Sequence, residues 1–127
     1  MKRLLVCVIV VMLAACASVS KSASDFEISL IRYEKALRWH DIEVLKFMHK
    51  EGTYQPAQLH QYKNIRIGKY ETLSRQQLEG KKIAHKVVIG YFFKDDYRVK
   101  EIEVEQMWEF DKQLNRWLIT SPLPVLR

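Results

Sequence analysis

Residues 101–110 read EIEVEQMWEF, an alternation of charged and apolar side chains broken only at Gln106-Met107. Successive strand residues point to opposite faces of a sheet. Ile102, Val104, Trp108 and Phe110 therefore share one face with Gln106, and Glu101, Glu103, Glu105 and Glu109 share the other. One face is core and the other a solvated acidic stripe. A strand of this kind needs a layer on its apolar side, so the rest of the chain must supply the cover.

Outward from this stretch, the pattern predicts strands over Asn64–Leu73, Lys82–Phe93, Tyr97–Phe110 and Arg116–Thr120. Lys94-Asp95-Asp96 and residues 111–115 are hairpin connections, and residues 74–81 (SRQQLEGK) separate the first two strands. The last three strands are then sequential and antiparallel. In the second strand Ile83, His85, Val87, Ile89, Tyr91 and Phe93 form the inner set. Val88 and Phe92 stay outside with Lys86, an apolar patch that calls for a partner.

The cover is helical. Ser24-Asp25-Phe26-Glu27 has capping-box spacing, and Phe26, Leu30, Tyr33 and Leu37 follow on one helix face, widened by Ile28 and Ile31. Asp41 is the N-cap of a second short helix, Ile42–His49, which Glu51-Gly52 ends. Residues 53–62, with Pro56, are expected to be irregular. The expected fold class is α+β, with N-terminal helices packed on a curved, mostly antiparallel sheet of four or more strands.

At 127 residues there is room for one domain, and 48% apolar with 28% charged residues is ordinary for a globular chain. The first residues are different. Met1-Lys2-Arg3 precedes an apolar run from Leu4 to Ala15, followed by Ala17, Ser18, Ser20, Ser22 and Ser24. A basic start, short apolar run and small-residue exit form the layout of a secretory signal. The run is several residues short of the ~20 that span a bilayer.

Leu13-Ala14-Ala15-Cys16 resembles the lipobox of bacterial lipoproteins. The resemblance implies that the Cys16 thiol takes a diacylglycerol, that the bond before it is cut, and that the new amino terminus is acylated. Two lipid-bearing groups give stable anchoring where one gives marginal binding. Ala17, where an Asp would mark inner-membrane retention in the enterobacterial rule, implies an outer-membrane address facing the periplasm. The expected organisation is a signal peptide at 1–15, a lipidated tether at 16–23 and a single domain at 24–127. Cys7 and Cys16 are the only cysteines, so the folded domain has none to pair. Without Lys2 and Arg3, 19 of the 21 basic residues remain against 15 acidic ones, spread without a block, which excludes a nucleic-acid patch.

The stretches YEKALRWHDIEVLKFM (33–48) and VEQMWEFDKQLNRWLITS (104–121) resemble the nuclear transport factor 2-like superfamily. That likeness implies a cone, with a long helix across a curved sheet and a pocket at the open end. Enzymes of the superfamily place an Asp or an Asp/His pair inside the cone. This sequence departs from them, since its strand acids lie opposite Trp108, Asp41 reads as a cap, and Asp95, Asp96 and Asp111 fall in turns. Tyr33, His85, Tyr91, Gln106 and Trp108 are the pocket candidates, and His85 is the one acid/base candidate among them. No metal-ligand spacing links His40, His49, His60 and His85, and no phosphate loop or nucleophile motif is present, so no metal or cofactor is expected. Three functions remain open: a lipid-anchored domain binding a protein or a small apolar ligand, an enzyme centred on His85, or an assembly subunit of an envelope or secretion complex.

Overall fold

A computed structural model describes residues 25–127; the expected leader at 1–15, Cys16, the expected tether at 16–23 and the expected cap Ser24 lie outside the described residues. Three helices come first: α1 (residues 25–38), α2 (Ile42–Met48) and α3 (Pro56–Gln61), the last running into a 3-10 turn at Tyr62–Asn64. Four strands follow, β1 (Ile65–Leu78), β2 (Lys82–Phe93), β3 (Asp96–Asp111) and β4 (Arg116–Ile119). They form one open antiparallel sheet in sequence order, with the helices packed against it, an α+β architecture.

The alternation in β3 decides which face is covered. Val104, Gln106 and Trp108 are buried, whereas Glu101, Glu103 and Glu105 are exposed. In β2, Ile83, His85, Val87, Ile89 and Tyr91 are buried on the same side, with Phe93 packed against the core. Trp108 is fully enclosed and meets Phe26 and Tyr33 of α1 edge-on, at ring separations of 5.6 and 5.7 Å. Edge-to-face contact suits the positive rim and negative face of aromatic rings, and aromatics of this size dominate core energetics.

α1 buries Phe26, Leu30, Tyr33, Ala36 and Leu37. The expected widening of that stripe does not occur, because Ile28 and Ile31 are 51% and 56% exposed. At about 100° per residue, Ile28 lies half a turn from Leu37, so it cannot share its face. The helix breaks at His40, whose φ is 55°, and Asp41 then caps α2 by accepting from the Val44 amide at 3.3 Å. Leu45 and Met48 are buried, and α2 is stitched to the sheet where the Lys50 amide donates to the Ile119 carbonyl at 2.9 Å.

Two segments differ from expectation. Residues 53–62 are not irregular throughout: Pro56 opens α3, and the side chains of Gln55 and Gln58 close a capping box. Proline is tolerated at a first helical position, where its missing N–H has no intrahelical partner to lose. The second difference is β1, which continues to Leu78, leaving only residues 79–81 as its connection to β2. Gly80 at φ 71° and Lys81 at φ 56° make that turn. The polar run Ser74–Gln77 remains a strand because it is exposed to water and needs no apolar face.

β1 also changes which side its residues face. Register shifts occur between Ile67 and Lys69 and between Thr72 and Ser74. Each extra residue flips the alternation. Ile65 and Ile67 therefore face the core, then Tyr70 and Thr72, then Arg75, opposite His85. At the first shift the strands approach closely; a Cβ added to Gly90 would sit 2.9 Å from the Cβ of Lys69.

The segment after β4 closes one end of the inner face. Leu123 and Leu126 are buried. Its backbone is held by polar side chains of the layer beneath: Gln58 Nε2 donates to the Leu123 carbonyl, the Tyr62 hydroxyl to the Pro124 carbonyl at 2.6 Å, and the Tyr91 hydroxyl to the Arg127 carbonyl at 2.8 Å. If this segment is core, Leu126→Ala should cost about 2–5 kcal/mol in urea unfolding, the range for truncating a buried leucine. Val125→Ala, at an exposed neighbouring position, should stay within about 0.5 kcal/mol.

Candidate functional site

The inner face is apolar except for one polar strip, built from β1, β2 and β3. The indole N–H of Trp108 donates to Gln106 Oε1 at 3.1 Å. An indole only donates, so this contact fixes which end of the amide is oxygen. His85 Nδ1 lies 3.1 Å from that same oxygen and must carry the proton. Nε2 of His85 is then an acceptor, and it receives the Thr72 hydroxyl at 2.8 Å. Gln106 Nε2 donates to the Tyr70 hydroxyl oxygen at 3.2 Å.

His85 is 1% exposed and Gln106 2% exposed. Burial pushes the His85 pKa down, against a smaller upward pull from Gln106, so the ring is neutral near pH 7. Burial likewise pushes the Tyr70 hydroxyl up, out of the range where it would ionise. Thr72 is the exposed end of the strip. Beside it Arg75 pairs with Glu27 of α1 and stacks over Phe26 with its guanidinium 5.0 Å from the ring centre.

A second histidine has a similar setting. The Thr53 hydroxyl donates to the Lys50 carbonyl at 2.7 Å and so accepts from His49 Nδ1 at 3.3 Å. His49 Nε2 then accepts the Tyr33 hydroxyl at 2.9 Å. Burial lowers the His49 pKa to about 4 and raises that of Tyr33 well above its ordinary value.

Of the five residues singled out from sequence, Tyr33, His85, Gln106 and Trp108 come together, through the Tyr33–Trp108 ring contact and the hydrogen bonds to Gln106. Tyr91 lies apart from them, beside Phe93 and bonded to Arg127. Sequence reading missed Tyr70, Thr72 and His49 as members of these networks. The bulges in β1 hide the first two, since simple alternation from Ile65 and Ile67 would put both outside. His49 gave a weak sign only, a polar residue at the end of a short apolar helix.

A shallow groove lies on the other face, where Leu118 sits among Lys50, Lys82, Glu109 and Asp111. Lys82 and Glu109 pair there at 2.9 Å. Among the described residues no group of three or more His, Cys, Asp or Glu is placed to hold a metal ion. No protein-family model, curated protein or solved structure matches this chain.

The two buried histidines make stability depend on pH. Their folded-state pKa values lie below the unfolded value of 6.5. The unfolded chain then binds more protons as pH falls below that value, so stability is complete above about pH 6.5 and declines toward pH 4. His49, whose pKa falls to about 4, should contribute on the order of 3 kcal/mol to the loss, and His85 should add to it in the same direction. Urea midpoints measured from pH 7.5 to 4.5 should fall, and His49→Gln, weaker at pH 7.5, should show a flatter profile.

Proposed function

We propose that this chain is a lipid-anchored protein of the bacterial envelope, outer-membrane and periplasm-facing, whose domain works by binding rather than by catalysis. The observation that carries the anchoring is Leu13-Ala14-Ala15-Cys16 behind a basic and apolar leader, in a chain whose described domain contains no cysteine. Support for binding over catalysis comes from the inner face. Both nitrogens of His85 are engaged, the acceptor Gln106 is a neutral amide, and among the described residues no carboxylate hydrogen-bonds the ring; Glu27, the acid whose charge reaches it, is paired with Arg75. A cone of the nuclear transport factor 2-like type belongs to the same proposal, supported by α1 against an antiparallel sheet whose β1 is bulged twice.

The outer face of the sheet is the binding surface in this reading, and its partner is a protein. Phe92 packs against Tyr97, which is 81% exposed, and Val99 beside it is 73% exposed. Exposed apolar side chains gathered in this way mark interaction sites. Next to them Glu103 and Glu105 form no ion pair among the described residues, whereas Glu101 pairs with Lys69 and Glu109 with Lys82. The face therefore offers an aromatic patch beside two free carboxylates, complementary to a basic surface.

Intact mass of the envelope form should show the lipid adduct on wild type and none on Cys16→Ser, which should also keep its uncut leader. An unchanged lipid-bearing mass for Cys16→Ser would refute the anchor. Tyr97→Ser with Glu103→Lys and Glu105→Lys should abolish crosslinks to the partner in envelopes while leaving the urea midpoint within about 0.5 kcal/mol of wild type. Crosslinks that survive would reject the outer face as the binding surface.

A further inference from the structure

The side of α1 turned away from the sheet has a composition of its own. Ile28, Ile31, Arg32, Lys35 and Trp39 are all exposed. Trp39 still follows the helical path, since its amide donates to the Lys35 carbonyl at 2.9 Å. At about 100° per residue these five side chains fall within roughly a third of the circumference, opposite Leu30 and Leu37. Trp39 is 79% exposed, Ile31 56% and Ile28 51%, so three large apolar groups stand in water on one ridge. The ridge holds two cations, with Asp25 alone at its amino-terminal edge. The other acids of α1 are turned to other work: Glu27 pairs with Arg75, and Glu34 with Arg38 at 3.1 Å.

We propose that this ridge of α1 rests on a phospholipid bilayer surface containing anionic lipid. Tryptophan and isoleucine suit the boundary between headgroups and acyl chains, and lysine and arginine suit anionic headgroups. Among the described residues no helix is long and apolar enough to cross a membrane, so the contact is superficial. The inference rests on the lipid anchor at Cys16. Nine chain steps from Cys16 to residue 25 reach about 30 Å at full stretch, which keeps the start of α1 near the bilayer. Attachment at Cys16 supplies the membrane; the ridge decides which side of the domain faces it.

Trp39 reports the contact. Trp108 and Trp117 are 0% and 4% exposed, so Trp39 is the tryptophan that a soluble quencher reaches. The full lipidated protein is placed in phosphatidylethanolamine–phosphatidylglycerol vesicles, with Trp39→Phe as the blank. Brominated acyl chains should quench the Trp39 emission and iodide should not, whereas in an unlipidated form begun at Ala17, free of detergent and vesicles, iodide should quench it. Arg32→Glu with Lys35→Glu should weaken binding of this unlipidated form begun at Ala17 to the same vesicles on the order of tenfold or more, and salt should do the same. Trp39 that stays open to iodide and untouched by bromolipid on lipidated, vesicle-bound protein would overturn the proposal while leaving the anchor intact. Shielding of Trp39 in native envelopes but not in pure lipid vesicles would also overturn it, in favour of a protein occupant. A chain without lipid on Cys16 removes the anchor instead, and the vesicle titration of the form begun at Ala17 then decides the ridge alone: salt-sensitive binding sustains it and no binding rejects it.

Discussion

A buried amide has to be satisfied, and the amide of Gln106 is the constraint around which the inner face is arranged. Its oxygen takes the indole N–H of Trp108 and the Nδ1–H of His85, and its nitrogen donates to Tyr70. An unpartnered polar group at this depth costs about 1–3 kcal/mol. Satisfying it sets the rotamer of Trp108, the tautomer of His85 and the placement of Tyr70. Trp108 in turn gives α1 its seat, through Phe26 and Tyr33. Polar specificity and apolar packing therefore meet in residues 106 and 108, two steps apart on one strand.

That strand was also the most legible part of the sequence. Period-two alternation from Glu101 to Phe110 assigned its faces correctly, and the inner set of β2 followed. Asp41 was readable as a cap because its side chain has one nearby amide to serve. Legibility failed where the geometry depends on something other than local pattern. The bulges in β1 alter parity without a strong residue signal, so Tyr70 and Thr72 could not be placed beside Gln106 and His85 from sequence. Proline at 56 reads as a breaker or as a helix start, and only the Gln55–Gln58 box and the burial of Leu59 decide between them. The candidate cluster was legible as a face, through His85, Gln106 and Trp108, but its hydrogen-bond closure was not.

α1 is a helix with two clients. One side is committed to the sheet, with Phe26, Leu30, Tyr33 and Leu37 buried. The other presents isoleucine, tryptophan and cations. Because the sheet stands behind α1, a bilayer under the ridge turns the outer face of the sheet, with Tyr97, Val99, Glu103 and Glu105, away from the lipid. Under the two proposals together, attachment, orientation and partner contact fall to three separate surfaces, and a change in one leaves the others chemically intact.

The segment holding Leu123 and Leu126 bears on when the chain can finish folding. Gln58 of α3, Tyr62 and Tyr91 have their backbone partners in these last residues. The inner face is therefore complete only when residues 123–127 are docked, and a chain whose helices and hairpins had formed without them would still be open at one end.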